Sequence, residues 1–91
     1  MSDPLTQRFS ENLAHYFEAS GLSQEALAAK AEIHRTQVSD LLRGQGNPTL
    51  ATIVRLAGAL GCQPADLVEG MSFEPADQQG RFKTKPRGRK K

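Results

Sequence analysis

Three side chains in this sequence have the widest chemical repertoire: His15, His34 and Cys62. A histidine becomes a metal ligand or a proton carrier only when other groups are arranged around it. The two histidines fall on different helical segments, and neither has a carboxylate or thiol spaced to be its partner. They read as surface or capping residues. Cys62 follows a helix-stopping glycine, with no cation in the adjoining sequence to lower its pKa, so it reads as a small, half-buried apolar group. As the single cysteine it can form neither an internal disulfide nor a cysteine-clustered zinc site, which fits a reducing compartment. The run Gly44-Gln45-Gly46 lacks the lysine that would make it a phosphate-binding loop, and no nucleophile–base–acid spacing or paired-carboxylate motif occurs. The expectation is a protein that is not an enzyme and needs no metal, cofactor or small-molecule substrate.

What remains is charge. Residues 81–91 hold seven of the twelve Lys and Arg and no acid, a block of +7, whereas residues 1–80 carry five bases and ten acids, a net −5. Like charges without apolar neighbours cannot offset the entropy of an ordered chain, so the tail is expected to be disordered alone and drawn to a polyanion. No amphipathic helix accompanies this charge to favour a membrane surface, and no apolar run of eighteen residues or signal-like start is present. A cytoplasmic protein without a membrane partner is expected. Ninety-one residues suffice for one small domain, too small to enclose a substrate.

The elements that must position any binding residues are helices. From Pro4 to Gly70 apolar residues recur at helical spacing, with Gly and Pro between the periodic stretches. The first helix covers 4–19, with Asp3 as N-cap, Pro4 in the first turn, and Leu5, Phe9, Leu13 and Tyr16/Phe17 in one stripe. After Gly21, Ser23 caps a second helix over 24–30, with Leu27 and Ala31 facing inward. The link Ala31-Glu32-Ile33 leads to a third helix, from about 34 to 42, with Val38 and Leu41 inside and a polar outer face. Beyond the loop Gly44-Gln45-Gly46-Asn47-Pro48, Thr49 caps a fourth helix whose Leu50, Ile53, Val54, Ala57 and Leu60 are expected to point one way, and Gly61 stops it. Pro64 opens a fifth short helix. The organisation is thus a domain over 4–70, a linker over 71–80 and a basic tail over 81–91, all-α, with no strand-like alternation.

Two short helices joined by three residues, the second polar outside, are the geometric signature of a helix-turn-helix. The series Gly21-Leu22-Ser23-Gln24-Glu25-Ala26-Leu27-Ala28, Ile33-His34-Arg35-Thr36-Gln37-Val38-Ser39, Arg43-Gly44, Asn47-Pro48-Thr49-Leu50 and Leu56-Ala57-x-x-Leu60-Gly61 resembles the phage-repressor and Cro type of DNA-binding domain, the Xre family. The resemblance runs from about Phe9 to Gly70. It implies a five-helix, lambda-repressor-like domain that binds palindromic operator DNA as a homodimer, with the third helix in the major groove, and regulates transcription. Three positions depart from the family pattern. Glu32 stands in the turn where Gly or Asn is usual, at a cost of about 1 kcal/mol if the backbone is left-handed. Phe17 and Leu42 stand where many members carry an Arg–Glu pair, an exchange of an ion pair for apolar packing. His34 takes an N-cap position better suited to Ser, Thr or Asp.

The resemblance assigns base contact to Arg35, Thr36, Gln37 and Asp40 on the outer face of the third helix. Their chemistry suits it: arginine to guanine, glutamine to adenine, the threonine methyl to a thymine methyl, aspartate to cytosine N4. An acid repels phosphate, so Asp40 is also read as orienting Arg43 or excluding wrong bases. Gln24, Ser39, Arg43, Gln45, Asn47 and Thr49 are candidates for phosphate contact. Leu60, Leu67, Val68, Met71 and Phe73 are candidates for a dimer interface, or cover the underside of the core. In the tail, Pro86-Arg87-Gly88-Arg89 resembles the core of AT-hook arms, with Lys90 replacing the usual following proline, so Arg87 and Arg89 could lie in a minor groove; a sequence-blind attraction is the alternative. Rival readings are a protein-interaction or antitoxin-like module on the same fold, and a basic-tailed, non-specific nucleic-acid-binding protein.

Overall fold

The computed structural model describes residues 3–75, and five helices occur among them: α1 (Pro4–Ser20), α2 (Gln24–Ala31), α3 (Arg35–Leu42), α4 (Leu50–Leu60) and α5 (Pro64–Leu67). Each start has a local cause. Asp3 accepts from the Leu5 amide at 2.9 Å, Ser23 from Ala26 at 3.0 Å and Thr49 from Thr52 at 3.1 Å, each satisfying an amide that the first turn leaves without a helical partner. Pro4 and Pro64 sit in first turns, where the missing N–H costs nothing. α1 and α4 end on Gly21 and Gly61, both left-handed, a conformation glycine adopts without steric penalty.

α2 ends differently. Its cap is Glu32 at φ 62°, the one non-glycine residue with positive φ among the described residues. The family pattern predicted strain there, and the backbone takes the left-handed turn despite the Cβ. Arg55 of α4 donates from Nη1 to the Glu32 carbonyl at 3.1 Å, tying the turn to the core-forming helix behind it. The link into α3 is Glu32, Ile33 and His34, one residue later than expected, because Ala31 stays in the helix and is buried. As the poor N-cap chemistry suggested, His34 makes no side-chain cap bond to α3.

The core gathers Phe9 and Leu13 from α1, Leu27, Ala28 and Ala31 from α2, Val38 and Leu41 from α3, Leu56, Ala57 and Ala59 from α4, and Leu67 from α5. Phe17 and Leu42 are half-buried against it, and Ser10 Oγ of α1 donates to the Leu42 carbonyl at 2.7 Å, fixing the end of α3 on α1. At the other end, Asn12 Nδ2 donates to the carbonyls of Leu67 (3.0 Å) and Glu69 (2.9 Å), fastening α5 to α1.

Two expectations need correction. α4 is turned so that Thr52, Leu56, Ala57 and Ala59 are buried, while Leu50 and Val54 stand 77% and 49% exposed. The sequence LATIVRLAGAL is apolar nearly all round, so spacing alone admitted two overlapping stripes, and packing of Leu56 into the centre chose between them. Leu67, considered for a dimer face, is fully enclosed by the core of its own chain and offers no surface. Among the described residues, no helix is long and apolar enough to cross a membrane.

Candidate nucleic-acid interface

α3 is eight residues long, and its two faces have separate uses. Val38 and Leu41 are buried, which turns Arg35 and Thr36 to solvent and leaves Ser39 and Asp40 half-exposed. Because α3 packs against α1 and α2 through that inner pair, the outer row is presented from a rigid base. Arg35 makes no ion pair within the described residues, so its guanidinium is available as a five-donor fork.

Asp40 and Arg43 are joined. Arg43 Nη2 lies 2.7 Å from Asp40 Oδ1, and Nη1 lies 3.2 Å from Ser39 Oγ. The ion pair is solvent-exposed at both ends, so its value lies in direction more than in stability. It holds Arg43 along the end of α3 and offsets the charge of Asp40.

Gln37 sits differently from its neighbours. It is half-buried, and Nε2 reaches back to Thr52 Oγ1 at 3.4 Å. Thr49 Oγ1 donates to the same oxygen at 3.1 Å, so Thr52, only 6% exposed, joins the α4 cap to the outer helix. Sequence reasoning missed Thr52 and Arg55. The signal was present in composition: Thr52 is the one hydroxyl, and Arg55 the one charge, within the otherwise apolar and glycine-containing α4.

The flanking residues come from elements on either side of α3. Gln24 opens α2, half-buried, where the free amides of the first turn favour an anion. Gln45, Asn47 and Thr49 are exposed on the α3–α4 loop, which is folded onto α3 by Gln45 N–H donating to the Asp40 carbonyl at 2.9 Å. Arg87 and Arg89, with all of residues 76–91, lie outside the described residues.

The other chemical candidates do not assemble. No group of three His, Cys, Asp or Glu is arranged for a metal among the described residues, and the ring of His15 instead packs edge-on against Tyr16 at 4.9 Å. Desolvation and the nearby Asp66 carboxylate push the Cys62 thiol above its ordinary pKa, which keeps it protonated at neutral pH. Leu60, Val68 and Met71 are half-buried against the core, whereas Phe73 is 74% exposed.

Comparison with known proteins places this arrangement. The family model HTH_3, helix-turn-helix, matches residues 13–67. Control protein C.BamHI of Bacillus amyloliquefaciens is 40% identical over 60 residues, 66% of this chain and 74% of that protein. The crystal structure of the restriction-modification controller protein C.AhdI from Aeromonas hydrophila superposes with a TM-score of 0.66 at 39% identity, covering 68% of this chain and 94% of that one. The structure of C.Esp1396I bound to a 19 base pair DNA duplex has the same fold, with a TM-score of 0.66 at 23% identity over 71% of this chain and 87% of that one.

Proposed function

The chain belongs to the HTH_3 helix-turn-helix family of DNA-binding transcriptional regulators, and on that premise we propose that it binds a two-fold symmetric operator as a homodimer with α3 in the major groove. The observation that carries this reading is the division of α3. Val38 and Leu41 anchor it, while Arg35, Thr36 and the Asp40–Arg43 pair form a polar outer row between Gln24 on α2 and Gln45, Asn47 and Thr49 on the following loop. Arg35, Thr36 and Gln37 read base edges. Gln24, Ser39, Arg43, Gln45, Asn47 and Thr49 hold phosphates and set the register. Likeness to the restriction-modification controller protein C.AhdI supports a regulator of that kind. The exposed Leu50 and Val54, one turn apart on α4, and the exposed Phe73 support association of two copies. The +7 block of residues 81–91 adds attraction to the DNA backbone.

Selection of bound sequences from random duplex DNA tests this reading. The expected result is a palindromic consensus whose half-site centres lie about 10–10.5 base pairs apart or near a multiple of that spacing. Absence of any enriched sequence, with a monomer on DNA by sedimentation, would overturn it in favour of a protein-interaction module.

A further inference from the structure

Thr52 is the most deeply placed polar side chain that touches the outer helix, and its hydroxyl does more than the α4 cap requires. The cap bond itself runs from Thr52 N–H to Thr49 Oγ1 at 3.1 Å and uses only the Thr52 backbone. The Thr52 hydroxyl oxygen is a separate acceptor, taking Thr49 O–H at 3.1 Å and Gln37 Nε2–H at 3.4 Å. With 6% of the residue exposed, little water competes for that oxygen. At 3.4 Å the bond to Gln37 is long and contributes little to fold stability, so what it biases is the orientation of the amide.

We propose that Thr52 is a specificity-determining positioning residue: its buried hydroxyl holds the Gln37 carboxamide with the NH₂ group inward, leaving Oε1 and the second N–H to face the DNA. The inference rests on the reading of α3 as the major-groove element. An amide can read adenine by accepting from N6 and donating to N7, which needs one oxygen and one N–H presented in a fixed order. A freely rotating glutamine offers either order and pays rotamer entropy on binding, so it discriminates poorly. Holding one N–H behind the helix favours one of the two orders over the other. α4, which makes no base contact of its own in this reading, thereby edits what α3 can read.

The test compares full-length variants by selection from random duplex DNA, with melting curves recorded beside it. Thr52→Val keeps the shape and removes the acceptor; Thr52→Ser keeps the acceptor and removes a buried methyl. The valine variant should keep a folded melting transition yet lose roughly 5- to 20-fold in discrimination at the half-site position that Gln37→Ala also relaxes. The serine variant should melt lower and retain the wild-type base profile, a separation that a purely structural role does not give. Thr52→Ala supplies the same readout should the valine variant not fold. Wild-type base preferences in a folded Thr52→Val protein would overturn the inference, as would a Gln37→Ala protein with an unchanged profile. Failure of the wild-type protein to select any consensus would instead remove the functional reading, and the inference with it.

Discussion

Arg35 and Arg43 are both arginines on or beside α3, but their surroundings give them different work. Arg35 is exposed and makes no ion pair among the described residues, whereas Arg43 is held by Asp40 and Ser39. Arg35→Ala is expected to weaken binding to the selected site by ~1–3 kcal/mol and relax preference at one position per half-site, with little change on random DNA. Equal losses on every duplex in a titration would show that Arg35 touches only phosphate. Asp40→Asn has the opposite sign. It removes an acid, and its repulsion of phosphate, from the row proposed to face DNA and leaves the charge of Arg43 unopposed, so binding to random DNA should tighten and its salt dependence should steepen by up to ~0.9 log units for each phosphate contact strengthened. A flat or shallower slope in salt titrations would place Asp40 away from the backbone.

At the level of elements, the turn between α2 and α3 carries a local conflict that substitution can relieve. Glu32→Gly frees the left-handed position of its Cβ while keeping the carbonyl that Arg55 holds. It also loses a 3.9 Å ion pair with Arg55 that is largely exposed at both ends and contributes little. The net gain should be about 0.5–1 kcal/mol, on the order of 2–8 °C in melting temperature for a domain this size. A lower melting temperature would mean that the carboxylate matters more than the backbone. This conflict was legible in the sequence because a turn of fixed geometry met a residue with a Cβ. The caps at Asp3, Ser23 and Thr49 were legible for the same reason: local chemistry determines them within three residues. The inward face of α4 was not, since an almost wholly apolar helix has no preferred side until its neighbours choose one. The outer row of α3 was legible in type, but the link from Gln37 to Thr52, fifteen residues away, depends on how α3 and α4 pack, and no local pattern encodes it.

For the whole molecule, the turning of α4 moves apolar surface outward. Leu50 and Val54 lie one helical turn apart on a face that the monomer leaves uncovered. Replacing both with lysine should preserve the fold, since neither is buried, and should shift sedimentation toward the monomer. The affinity for a full palindrome should fall toward that for a single half-site. A dimer that survives the pair of lysines would move the interface to Phe73 or elsewhere. The seam between α1 and α5 has a consequence of another kind, in time. α5 is a four-residue helix that cannot persist alone, and the Asn12 amide joins it to α1 across 55 and 57 positions of sequence. Because closing loops of this length is entropically costly and α5 has little structure of its own, these bonds are expected to form after the rate-limiting step. Asn12→Ala should therefore leave the refolding limb of a chevron plot almost unchanged and raise the unfolding limb. How long each folded copy survives, more than how quickly it is made, then depends in part on one side-chain amide at the α1–α5 seam.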